Sequence, residues 1–188
     1  YSNLLKKVDV SFSNKHKYYF PDNLEITNFF SDYFDKFIND KYLLIHLDEK
    51  WLDIPEVNIK LTSEISNLQK NLNYSLILTS YNNKFDYFNN LKKNFTTINF
   101  LNDKINSEVY KNHNKIFILE NMSLSLYEKF ISKSIFTISC HSGFTVNICG
   151  SNFTHYVDII HKNEIDWRNC WIPKNIKYSR IYKTDLPK

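Results

Sequence analysis

The run Ile135-Phe136-Thr137-Ile138-Ser139-Cys140-His141-Ser142-Gly143 passes from a short apolar stretch into a polar turn closed by glycine. Five residues rich in β-branched and aromatic types make a buried strand ending at Ser139, and a helix then starts near Gly143. The same alternation extends upstream. Tyr42–Leu47 reads as a short strand, and Val57, Leu61, Ile65, Leu68 and Leu72 recur at helical spacing. Tyr74–Thr79 is a second strand, followed by a helix marked by Phe85, Phe88, Leu91 and Phe95. Thr97–Phe100 is a weak strand and Lys115–Leu119 a clear one; Ser123 then caps a helix carrying Leu126, Tyr127, Phe130 and Ile131. Downstream, Thr154–Ile160 is the last strong strand. Short strands separated by helices imply βαβ units, a mostly parallel sheet, and helices on both faces. The expected class is α/β and Rossmann-like.

The chain of 188 residues is long enough for one domain with a real core. Residues 41–188 hold the expected ligand-binding domain. Residues 1–40 form an N-terminal segment with a linker helix, in which Ile26, Phe29, Phe30, Tyr33, Phe34, Phe37 and Ile38 share one face. Asp22 and Glu25 are spaced as a capping pair for it. The tail 161–188, with Trp167, Trp171 and Pro173, reads as irregular and is expected to pack back over the domain.

Hydrophobic residues make up 43% and charged residues 23%, an ordinary balance for a globular chain. Alanine is absent and there are only two glycines, while Asn, Lys, Ile, Phe and Tyr abound, a bias traceable to AT-rich codons. Glycines that survive such a bias are expected where no side chain fits, Gly143 at the turn and Gly150 as a helix C-cap. The net charge of +4 comes from dispersed lysines. A solvated surface explains them, as does attraction to an anionic ligand or to the inner membrane surface. No basic block interleaved with aromatics argues for nucleic acid. Cys140, Cys149 and Cys170 form no CxxC pair, which disfavours a disulfide framework or zinc site and fits a reducing cytoplasm. No stretch reaches the ~18 apolar residues of a membrane span. The chain begins with Tyr1, not Met, so a fragment of a longer protein is expected.

In parallel sheets ligands bind beyond the carboxyl ends of the strands. Four loops follow such ends. In Cys140-His141-Ser142-Gly143, the free N–H groups of a helix start suit a phosphate, Gly143 permits close approach, and His141 and Ser142 add donors. A tight turn beside a surface histidine is the plainer reading. In His46-Leu47-Asp48-Glu49-Lys50-Trp51, Lys50 could neutralise a phosphate, and Asp48 and Glu49 could bind a hydroxyl; a solvated loop with Trp51 packed over the helix is the alternative. Thr79-Ser80 places two hydroxyls at a strand end, and Glu120-Asn121-Met122-Ser123 offers a carboxylate and a thioether to a base or ribose. Both also read as ordinary turns. No metal site, P-loop or nucleophile elbow is present in the sequence.

The order of these loops resembles the C-terminal half of GT-B glycosyltransferases, most closely the ADP-heptose:LPS heptosyltransferase family (glycosyltransferase family 9). The resemblance covers roughly residues 41–160 and rests on His46–Trp51, Thr79-Ser80, Ser123-Leu124-Ser125-Leu126, Ile131–Ile135 and His141-Ser142-Gly143. Where the family carries Asp-Thr-Gly this chain has His141-Ser142-Gly143, and Thr79-Ser80 lacks the family's glycine. The resemblance implies a nucleotide-diphosphate-sugar donor, a saccharide or lipid-linked acceptor in surface polysaccharide or lipopolysaccharide synthesis, and no metal cofactor. It implies Lys50 balancing phosphate charge, with Ser142 and Gly143 binding the same group. The catalytic base would come from an N-terminal domain that residues 1–40 cannot supply. Two other readings stand beside it. One is a non-catalytic nucleotide- or sugar-binding module of the same fold. The other is a hydrolase using His141 as base, with Ser139, Cys140 or Ser142 as nucleophile.

Overall fold

The computed structural model describes residues 41–54, 56–72, 74–80, 84–111, 115–152, 154–164, 172 and 176–183. The expected linker helix and Trp167, Trp171 and Pro173 lie outside these. β1 (Tyr42–His46) leads through a 3-10 turn (Glu49–Asp53) into α1 (Val57–Leu72), then β2 (Ser75–Thr79), α2 (Asp86–Asn94), β3 (Thr96–Leu101) and β4 (Lys104–Val109). β5 (Ile116–Glu120), α3 (Leu124–Lys133), β6 (Phe136–Cys140), α4 (Gly143–Asn152), β7 (His155–Ile160) and β8 (Tyr178–Tyr182) complete it. The strands form one sheet in the order β4-β3-β5-β2-β1-β6-β7-β8. Every pairing is parallel except that of β3 with β4. The fold is α/β and Rossmann-like.

Strand alternation divides the core in two. Leu43, Ile45, Leu76 and Leu78 pack with Val57, Ile65, Phe88 and Leu91 of α1 and α2. Tyr42, Leu44 and Ile77 pack with Leu126, Phe130, Val146 and Cys149 of α3 and α4. Both faces of β1 and β2 are therefore covered, which is why their central residues are apolar in an unbroken run rather than alternating. α3 begins as expected, with Ser123 Oγ accepting from Leu126 N at 3.1 Å.

One strand is new and two expectations are corrected. β4 was not anticipated: β3 and β4 form a hairpin turned by Asn102 and Asp103, both at positive φ (50° and 59°). The usual hairpin signal is Asn-Gly, and in this glycine-poor chain Asn-Asp takes its place. The tail is not wholly irregular, since β8 adds a parallel strand beside β7; its half-buried edge position leaves only a weak apolar pattern. Gly150 does not cap α4, because the helix continues through it to Asn152.

Leu44 is fully buried in the central strand, whereas Ile59 is 79% exposed on α1. Leu44→Ala is expected to lower the urea unfolding free energy by about 2–5 kcal/mol, and Ile59→Ala by no more than about 0.5 kcal/mol.

Candidate ligand-binding site

β1 and β6 are neighbours, but the chain leaves them in opposite directions. From β1 it crosses through α1 to β2, and from β6 through α4 to β7. The two following loops diverge and leave a crevice at the carboxyl ends, the place where such sheets bind ligands. A cavity of about 620 Å³ opens on the α3 side of this edge. Thr79, Ser80, Glu120, Met122 and Ser142, drawn from three separate loops, line it together. His46, Asn121, Ser123, Leu124 and Tyr127 complete the lining.

The other candidates are placed differently. The Lys50 ammonium reaches across the crevice and donates to the main-chain carbonyl of His141. Gly143 is the exposed first residue of α4. A Cβ on Gly143 would meet nothing within 4 Å, and its φ is not positive. The expectation that no side chain fits there is therefore overturned as far as the chain itself is concerned; only an approaching ligand would require the open space. His141 is no surface donor. It is 3% exposed, and its Nδ1 lies 2.7 Å from Asp158 Oδ2.

Asp158 organises a buried polar network beneath the turn. Tyr178 OH donates to its Oδ2 at 2.6 Å and Tyr156 OH to its Oδ1 at 3.3 Å. The Tyr156 hydroxyl also lies 2.7 Å from Ser139 Oγ and accepts from Ser142 N at 3.4 Å. Burial, with Asp158 nearby, holds the Tyr156 phenol well above its usual range, so it stays a neutral hydrogen-bonding group. This network bears on the hydrolase reading. Ser139 is engaged by Tyr156, Cys140 is fully buried with its thiol pushed well up by desolvation, and Ser142 Oγ accepts from Thr145 N at 3.4 Å. No nucleophile among them pairs with the His141 ring in the described hydrogen bonds.

The register explains why these groups meet. Thr79 stands beside His46, His46 beside Ser139, Ser139 beside Asp158 and Asp158 beside Arg180. Five adjacent strands thus each place a polar residue in one row across the sheet. His46 Nδ1 lies 3.1 Å from Thr79 Oγ1, and its ring centroid is 5.3 Å from that of Tyr127. The sequence signal is one polar residue in each of these strands at the same register position. It becomes visible only when the strand order is known.

The charges around the cavity are mostly quenched. Lys92 Nζ donates to Glu120 Oε1 at 2.9 Å. Burial, reinforced by the Lys50 charge, lowers the His46 imidazole to about 4, so it is neutral in the cavity floor at pH 7. Asp48 caps the 3-10 turn by accepting from Lys50 N at 3.1 Å; burial raises its carboxyl to about 6, against the opposing pull of Lys50. Trp51 is buried and donates from Nε1 to the His46 carbonyl at 2.9 Å. The tail does return to this loop: Lys183 Nζ donates to the Lys50 carbonyl and to Asp53 Oδ2, both at 2.9 Å. Among the described residues no group of His, Cys, Asp or Glu is placed to hold a metal ion, and no helix is long and apolar enough to cross a membrane. The sequence matches no family model and no curated protein.

His46 and Asp48 make opposite contributions to pH dependence. An unfolded imidazole titrates near 6.5, so the His46 contribution is complete above that pH and is lost as pH falls toward 4. The Asp48 carboxyl binds its proton more readily when folded, so stability gains as pH falls from about 6 toward 3.8. Asp48→Asn exposes the histidine alone. Measured against an Asp48→Asn/His46→Asn reference, its urea unfolding free energy is expected to drop by about 3 kcal/mol between pH 7 and pH 4. Equal slopes in the two proteins would refute the assignment.

Proposed function

We propose that this chain is the nucleotide-sugar-binding half of a GT-B glycosyltransferase of the glycosyltransferase family 9 kind, acting in surface polysaccharide or lipopolysaccharide synthesis. The observation that supports this reading most is the cavity beside the divergence of β1 and β6, where Thr79, Ser80, Glu120, Met122 and Ser142 converge. Its wall from Glu120 to Leu124 combines a neutralised carboxylate with Met122 and Leu124, surfaces suited to a ribose and a base. At the other end stand Ser142, the open backbone at Gly143 and the start of α4, whose first turn carries no acidic residue. A diphosphate fits there, because helix-start N–H groups and the helix dipole favour negative charge.

Lys50 bridges the two loops at that end. In this reading its ammonium moves from the His141 carbonyl to the ligand and balances charge as the diphosphate leaves the sugar. Such electrostatic stabilisation operates without a metal. The acceptor, a saccharide or a lipid-linked saccharide at the inner membrane surface, and the base that deprotonates it would be met outside residues 41–188. The protein would then work in the cytoplasm, with the lysine-rich surface favouring an anionic membrane face.

A nucleoside diphosphate at a hundred times its dissociation constant stabilises a fold by about 2.7 kcal/mol. For a chain of this size the melting temperature is expected to rise by about 5–10 °C. Lys50→Ala should abolish the shift. Gly143→Ala should leave the ligand-free melting temperature unchanged or slightly higher, yet weaken binding about tenfold by blocking close approach. Absence of any shift across the common nucleoside diphosphates would overturn the reading.

A further inference from the structure

Two helix starts border the cavity, and the protein treats them differently. At α4 the first turn holds no carboxylate. At α3 a carboxylate arrives from the β3–β4 hairpin. Asp103 Oδ1 accepts from Ser123 N at 3.0 Å and its Oδ2 from Ser123 Oγ at 2.6 Å. Ser123 Oγ in turn accepts from Leu126 N at 3.1 Å. The serine hydroxyl has one hydrogen, and giving it to Asp103 turns a lone pair toward the helix. Asp103 thus completes the cap of α3 from a distant turn, and its charge complements the helix dipole.

The hairpin grips the rest of this wall as well. Asn121, held at φ 59°, donates from Nδ2 to Asn99 Oδ1 at 2.8 Å. Asn121 and Ser123 both line the cavity. The positive φ at Asn102 and Asp103 aims the turn back at α3. The hairpin, whose β3 strand gives Ile98 and Phe100 to the core, therefore has a further task at the cavity rim.

We infer that Asp103 sets the polarity of the bound ligand: its carboxylate bars phosphate from the α3 end of the cavity and holds the wall that receives the uncharged nucleoside. The inference rests on the nucleoside diphosphate reading above and makes Asp103 a positioning residue that determines specificity. An anion brought to the α3 end would meet a like charge, with the Ser123 and Leu126 N–H groups already taken, whereas an uncharged base or ribose would meet an ordered wall without that repulsion.

The test compares the wild-type chain with Asp103→Asn by titration calorimetry, using ADP, GDP, UDP and inorganic pyrophosphate. Asparagine tolerates the left-handed backbone at this position, so the turn is kept while the charge and one acceptor are lost. The nucleoside diphosphate that binds the wild type best is expected to lose about tenfold in affinity. Pyrophosphate, measured directly or by competition, should keep its affinity or gain. Ser123→Ala, which removes the hydroxyl that Asp103 holds, should show the same selective loss, and it decides the matter if Asp103→Asn does not fold. Unchanged nucleoside diphosphate affinity, or an equal fall for pyrophosphate, would overturn the inference while leaving the proposed function standing. A wild-type chain that binds no nucleoside diphosphate would overturn both.

Discussion

Burying a carboxylate completely is tolerable only when donors surround it, and Asp158 meets that condition with His141, Tyr156 and Tyr178. The three donors come from the β6–α4 turn, from β7 and from the edge strand β8. A single charge therefore ties the last two strands to the turn that opens α4. Tyr156 carries the connection upward, because its hydroxyl also reaches Ser139 and the Ser142 amide. The turn is held from beneath by polar groups, so its upper side is left to the solvent and to a ligand.

That arrangement explains how well the strand-to-helix turn could be read and how poorly its histidine could. The strand, the polar turn and the helix start near Gly143 follow from local pattern: a β-branched run, a change to polar residues, then a glycine. The role of His141 depends on Asp158, seventeen residues away in sequence and adjacent only through the β6–β7 register. Nothing local distinguishes a histidine facing solvent from one facing a buried carboxylate. The same holds for His46, whose neutrality comes first from burial beneath the cavity, with the Lys50 charge only reinforcing it.

The strands with strong apolar runs were legible because burial on both faces leaves no room for polar residues. β4 and β8 lie at the sheet edges, where one side is open and composition relaxes. The edge elements carry partners of the candidate site all the same: Asp103 follows β3, and Tyr178 lies in β8. Periodicity finds a core, and Asp103 stands outside it while Tyr178 only borders it. Of the candidate ligand residues, those at strand ends converge on the cavity because a parallel sheet gathers its carboxyl ends on one edge. Lys50 and His141 instead meet each other across the crevice.

The bond from Lys183 to the carbonyl of Lys50 joins residues 133 positions apart. Loop closure makes distant contacts late ones in folding. During synthesis from the amino terminus, β1 and its following loop emerge well before the partner that pins this loop, which lies 133 positions further along. The central sheet can therefore assemble before the loop bearing Lys50 is finished, and losing the Lys183 ammonium alone would keep the architecture while loosening that loop.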